Sequence, residues 1–315
     1  MACAAATLAL AAFATAPAAP VHNVTFAELK ARAKRKADLR LAYGDLPSQV
    51  VDLWLPGGAG PHPVVVMIHG GCWIQSVAGL DLMNFIADDL RRHGVAVWNI
   101  EYRRLGEPGA GYPGTFQDVG QAIDLLGKVA PKYGLKLDPL VAVGHSAGGH
   151  LALWAAARGR IAKDSPLFVA HPLKIDAVIG QGALGDLDHG EPGMVHACGA
   201  GTVAQLIGPA SAGRPDVYAD TSPDRMEPFP ARQILFYGAV DDLAPASQGD
   251  IYRDDARKRG GKVEVSVIAN ANHFDQIAPE TAAWAEIRTA ILGQLRGGRM
   301  GGQAAAHTSS TAKPW

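Results

Sequence analysis

Three cysteines in 315 residues are too few for a disulfide framework, so this chain must hold together through a hydrophobic core. Charge of either sign is not in excess. Lys and Arg number 29 against 30 Asp and Glu, a net charge of −1, and there is no long basic run. Nucleic acid is thereby excluded as the main partner. The local basic cluster from Lys30 to Arg40 lies on a helix-like stretch, Val24 to Leu39, and reads as a solvated face outside the core. Apart from the first residues no apolar run is long enough to span a bilayer, so stable membrane insertion is not expected. A glycine-rich phosphate loop and a dinucleotide fingerprint are also lacking. No cysteine stands at a metal-ligand spacing from a histidine. Neither cofactor nor metal is therefore expected.

The two ends differ from the middle. Met1 to Pro20 is alanine-rich and uncharged, with an apolar centre from Thr7 to Ala14 and small residues at Ala14-Thr15-Ala16 and Ala16-Pro17-Ala18. That pattern matches the apolar and cleavage regions of a secretory signal peptide, although the positive start is missing. A periplasmic or secreted protein is expected, with a cytoplasmic chain carrying a disordered leader as the alternative. Residues 297–315, rich in Gly, Ala, Ser and Thr, read as a flexible tail.

Between them, residues 21–296 alternate strand-like apolar runs with helix-length stretches. Strands fit 49–55, 64–69, 95–101, 139–145, 175–181, 233–238 and 263–269; helices fit 80–93, 115–133, 147–158, 246–260 and 279–296. This alternation predicts an α/β fold, a mostly parallel central sheet with helices on both faces. Residues 183–231 form a long insertion rich in Gly, Pro, Asp and His, with one short helix at Val203 to Ile207. Insertions of that length inside a compact domain are usually functional, so a small lid is expected there. Met194, Leu206 and Trp73 are candidates for a pocket wall or for core.

The chemistry lies where strands end. Val141-Ala142-Val143 runs into Gly144-His145-Ser146-Ala147-Gly148 and then an alanine-rich helix, the context of a nucleophile elbow presenting Ser146. Val64 to Ile68 runs into His69-Gly70-Gly71-Cys72-Trp73, a loop able to turn backbone N–H groups inward. Gly71 or Cys72, with Ala147 after the nucleophile, would then form an oxyanion hole. Gln233 to Gly238 is followed by Asp241 and Asp242. Val263 to Ile268 is followed by Asn272-His273-Phe274-Asp275. The order serine, aspartate, histidine is that of one version of the catalytic triad. His273 would accept the Ser146 proton and Asp241 would orient His273, with Asp242 the competitor. His69 reads as a loop-ordering residue; His145 and His150 read as packed or bonded to backbone. In an open parallel sheet all these loops fall beyond the carboxyl ends of the strands, where ligands bind.

With those motifs in hand, residues 42–296 resemble the α/β-hydrolase esterase/lipase group. The likeness is to small carboxylesterases of the feruloyl or acetyl esterase kind and to kynurenine-formamidase-like enzymes. It is carried by H-G-G-C-W, G-H-S-A-G-G-H, Y-G-A-V-D-D-L-A-P and N-H-F-D, and by the stretches Asn99 to Arg104 and Tyr112 to Asp118. Relatives usually read H-G-x-x-D-x-x-V-P at the acid loop, which places the acid at Asp241; here Tyr237 and Ala244 depart from that pattern. Cys72 stands where relatives carry a third glycine, and its N–H remains available. The resemblance implies a serine hydrolase acting on a small-molecule ester or, alternatively, on an N-formyl aromatic amide. A non-catalytic binding protein on the same fold would be expected to have lost Ser146, His273 or the glycine pair. A peptidase of the prolyl-oligopeptidase kind would need a propeller-sized domain before the elbow. Cys72 and Cys198 are expected as two unpaired thiols. In an exported chain they could instead pair, tying the oxyanion loop to the insertion.

Overall fold

The computed structural model describes residues 22–189 and 196–297. The expected leader, the tail from residue 298 and Met194 lie outside the described residues. Eight strands form one sheet in the order β1-β2-β4-β3-β5-β6-β7-β8. They are β1 Leu39–Ala42, β2 Val50–Trp54, β3 His62–Ile68, β4 Ala96–Ile100, β5 Leu135–His145, β6 Ala177–Gln181, β7 Arg232–Gly238 and β8 Val263–Ile268. Only the pairings of β2, with β1 and with β4, are antiparallel, so β2 alone runs against the other strands. The alternating pattern predicts such a mostly parallel sheet, and the architecture is the α/β-hydrolase one that the resemblance implies.

Both faces of the sheet are covered, and alternation along each strand assigns its side chains to one or the other. Val64, Val66 and Ile68 of β3 join Phe116, Ile123, Leu151 and Trp154 in one core. Val65 and Met67 point the other way, to Ile86, Leu90, Trp284 and Ile291. The covering helices include α2 (Asn84–Arg92), α3 (Gly114–Val129), α4 (Ala147–Ala157), and the segments Ala246–Lys258 and Ala282–Leu295. A strand buried on both faces needs an unbroken apolar run, which is why these strands were legible and nearly correctly bounded.

Two sequence expectations need correction. The stretch Val24 to Leu39 is not one solvated helix. Helix α1 covers only Phe26–Ala31, begun by a capping box between Thr25 and Glu28 and ended where Arg32 turns extended. Val24 and Leu29 are buried, and the basic residues beyond lead into the short edge strand β1, which periodicity had not revealed. Cys72 and Cys198 are also not free thiols. They form a disulfide across 126 residues with their Cα atoms 5.4 Å apart, a proximity set by tertiary packing. On the chain-entropy account a cross-link at that spacing is worth about 5 kcal/mol.

The described part of the insertion is fastened to the domain. Leu184, Leu187, Leu206, Ile207 and Phe229 enter the core of the α4 face. Trp154 Nε1 donates to the Asp220 carbonyl at 2.9 Å, and Tyr112 donates to Asp220 Oδ2 at 2.9 Å. The Arg214 guanidinium lies 3.5 Å above the Tyr112 ring and binds Asp220.

His150 of α4 completes the attachment, its Nε2 donating to the Thr221 carbonyl at 2.8 Å between the edges of Trp73 and Phe116. Burial pushes His150 down to about 4. Between that value and the unfolded one of about 6.5, the unfolded chain binds a proton that the folded chain refuses. Stability should therefore fall as pH drops through that window, by about 3 kcal/mol from this group. Urea midpoints measured from pH 7 to pH 4 should show the decline. The decline should be shallower in His150→Gln, and an identical slope in the variant would refute the assignment.

Candidate active site

The register of the parallel strands brings the loops together. Ile68 pairs with Gly144, His145 with Gln181, Gln181 with Phe236, and Gly238 with Ile268. The segments following β3, β5, β7 and β8 therefore emerge at one edge of the sheet, and with them Gly71, Cys72, Ser146, Ala147, Asp241 and His273.

Ser146 sits between β5 and α4 with φ 54° and ψ −121°, a conformation that non-glycine residues rarely adopt. The turn is held by its N–H, which donates to the Gln181 carbonyl at 2.8 Å. The two flanking glycines are required by space. A Cβ on Gly144 would lie 2.2 Å from the Gly148 carbonyl oxygen, and one on Gly148 would lie 2.2 Å from that of Ile68. The tight turn projects the serine over the start of α4, whose first N–H belongs to Ala147.

Across from it, the loop after β3 turns through positive φ at Gly71, Cys72 and Trp73. His69 explains its shape. Its Nδ1 donates to the Gly70 carbonyl at 2.7 Å, while Nε2 lies 2.7 Å from Glu101 Oε1 and the ring stacks on Tyr102. In a trans peptide the C=O and the following N–H point in opposite directions. Fixing the Gly70 carbonyl toward His69 thus turns the Gly71 N–H away from it. Burial opposes the Glu101 charge, yet His69, Arg104 and the Leu80 N–H together hold its carboxyl below the ordinary range. Among the described residues, nothing accepts from the backbone N–H of Gly71, Cys72 or Ala147. Three free donors on two converging loops are what a developing oxyanion needs.

The structure brings His273 to Asp241 and leaves Asp242 exposed. His273 Nδ1 lies 2.7 Å from Asp241 Oδ2. The other oxygen, Oδ1, accepts from the backbone N–H of Leu243 at 3.0 Å and of Ala244 at 2.8 Å. Sequence reasoning missed Gln276, a buried neighbour whose Nε2 approaches Asp241 Oδ2 at 3.4 Å. The turn carrying His273 is made by Asn272, whose Oδ1 accepts from the N–H of Phe274 and of Asp275. His145 packs against the His273 ring at 4.4 Å and donates from Nε2 to the His273 carbonyl at 3.1 Å. Burial, reinforced by His273, drives His145 well below the ordinary histidine range, so it remains a neutral donor. That role was readable only as a generic backbone contact.

A cavity of about 160 Å³ joins these parts. Ser146, His273, Gly71 and Cys72 contribute its polar side; Phe26, Val77, Leu82, Leu243 and Phe274 make the remainder apolar. From the insertion, Ala197 reaches the cavity beside the disulfide. Trp73 and Leu206 are buried in the core instead. A larger hollow of about 500 Å³, near Glu28, Arg32 and Glu280, contains neither Ser146 nor His273.

Comparison with known proteins adds a family. The sequence profile of one, described as BD-FAE, matches residues 51–254, about two thirds of the chain. Esterase LipC of Mycobacterium tuberculosis is 30% identical over 152 residues, covering 45% of this chain and 35% of that protein. Versiconal hemiacetal acetate esterase of Dothistroma septosporum is 32% identical over 114 residues, covering 36% of this chain and 33% of that protein. The chain spans about a quarter to a third of the length of the curated relatives it matches. An inhibited esterase B of Lactobacillus rhamnosis superposes with a TM-score of 0.72 at 20% identity, covering 86% of this chain and 92% of that one. At that identity the likeness is one of fold.

Proposed function

The chain belongs to the BD-FAE family, and on that footing we propose that it hydrolyses small carboxylic esters through a Ser146–His273–Asp241 acyl-enzyme mechanism. One observation carries the reading: the elbow serine, the Asp241-bound His273 and two loops of unpaired N–H groups meet at a single small cavity. In the first step Ser146 Oγ bonds to the ester carbonyl carbon and its proton passes to His273 Nε2. The carbonyl oxygen becomes an anion received by the N–H groups of Gly71, Cys72 and Ala147. Collapse breaks the bond to the alcohol, which leaves with the proton from Nε2. Water then repeats the sequence on the acyl-enzyme, releasing the acid and restoring Ser146.

The volume bears on the substrate. A 150 Å³ apolar cavity accommodates benzene, so about 160 Å³ admits a short acyl chain or one aromatic ring. The relatives are named as esterases, which leaves the formamide-cleaving alternative without support. We also propose export: the Cys72–Cys198 disulfide favours an oxidising compartment.

The reading is tested with p-nitrophenyl esters from acetyl to dodecanoyl, beside N-formylkynurenine. Acetyl to butyryl esters should give the highest kcat/KM, and a fluorophosphonate should add once, at Ser146. A folded protein inert toward every ester, or labelled elsewhere, would overturn it.

A further inference from the structure

We infer that the N-terminal segment Asn23–Leu29 is a wall of the active site, and that Phe26 sets the size of the apolar group the site accepts. The segment lies outside the stretch matched by the family profile, yet it is latched to the loop that carries His273. Asp275, two residues after the histidine and buried, accepts from the Val24 N–H at 2.8 Å and from Asn23 Nδ2 at 2.6 Å. Asn272 returns the contact, its Nδ2 donating to the Val24 carbonyl at 2.9 Å. On the opposite side Lys30 Nζ donates to the Val77 carbonyl at 3.0 Å. Helix α1 thus bridges the His273 loop and the loop beyond Gly71, and the capping box at Thr25 fixes where its first turn begins.

Phe26 occupies that first turn. Its ring stacks on Phe274 with centroids 5.3 Å apart and, with Val77 and Leu82, lines the apolar part of the cavity. It is half-buried, packed with Val77 and Phe274 against the edge of the core on that face, with the rest of the ring turned to the cavity. A side chain that is anchored at both ends of its helix and faces the nucleophile's cavity limits what fits there. Pocket-size changes of one or two methylenes alter discrimination tenfold or more.

This inference rests on the ester-hydrolase reading, and the test separates the two. The kcat/KM ratio of hexanoyl to acetyl p-nitrophenyl ester is measured for wild type, Phe26→Ala and Phe26→Trp. The same is done with acetates of small and bulky alcohols, and thermal melts confirm that each variant is folded. In one of the two series Phe26→Ala should raise the large-to-small ratio at least tenfold, and Phe26→Trp should lower it. Opposite shifts from enlarging and shrinking one side chain are not produced by a merely structural role. An active wild type whose ratios are unmoved by both substitutions, in both series, overturns the wall. A wild type inert toward all esters overturns the reading beneath it.

Discussion

Ser146→Ala is expected to lower ester turnover by a factor on the order of 10⁶, the scale at which removing the nucleophile of a serine hydrolase disables its whole proton-transfer unit. The fold should be untouched. Alanine keeps the Cβ that already sits at φ 54°, and the bond that holds the turn comes from the backbone N–H of residue 146 to Gln181, which the substitution preserves. Nor should the proposed oxyanion donors move, because Gly71 and Cys72 are set by His69 and by the disulfide. A small residual rate above water is expected from those donors alone. Steady-state hydrolysis of p-nitrophenyl acetate, beside thermal melts of both proteins, reads both effects. Activity above a few per cent in purified, folded Ser146→Ala would remove Ser146 as nucleophile.

The second large effect is expected at Asp241, where asparagine should cost about 10⁴ in turnover. The geometry explains why. One oxygen of the carboxylate is claimed by two backbone donors, the N–H groups of Leu243 and Ala244. An asparagine must put its carbonyl oxygen there, which turns its NH₂ toward His273 Nδ1. That nitrogen then has to accept, so the ring proton moves to Nε2, and Nε2 can no longer take a proton from Ser146. The same NH₂ would face the Gln276 amide, another donor. Asp242→Asn, one residue along and exposed, should retain most of the activity. A reversed ranking of the two variants would show that His273 works with a different acid.

Much of this is legible in the sequence, for local reasons. A strand buried on both faces must be an uninterrupted apolar run, and at β3, β5 and β7 the chain marks the end of the run with glycine: Gly70-Gly71 after β3, Gly144 before Ser146, Gly238 before Asp241. Those signals span ten residues or fewer, so periodicity and turn chemistry expose them. Once the strands are parallel, the residues after them must share one edge, and the serine, aspartate and histidine come together by topology.

What the chain alone left open depends on atoms far apart in sequence. Asp241 and Asp242 are the same residue type side by side; only the turn after β7 buries one against His273 and exposes the other. Cys72 and Cys198 are expected as free thiols, with pairing the alternative for an exported chain, because nothing local reveals that the insertion returns to the loop after β3 across 126 residues. The stretch from Val24 to Leu39 reads as one solvated helix because Lys and Arg cluster from Lys30 to Arg40, most of them beyond the end of α1. Its docking depends on Asn23 meeting the Asn270 carbonyl 247 residues away and on Val24 meeting Asp275. Short-range pattern thus determined which residues could perform the chemistry. Long-range closure, where one hydrogen bond joins distant parts of the chain, decided which carboxylate meets His273, what ties the loops, and which side chains line the cavity.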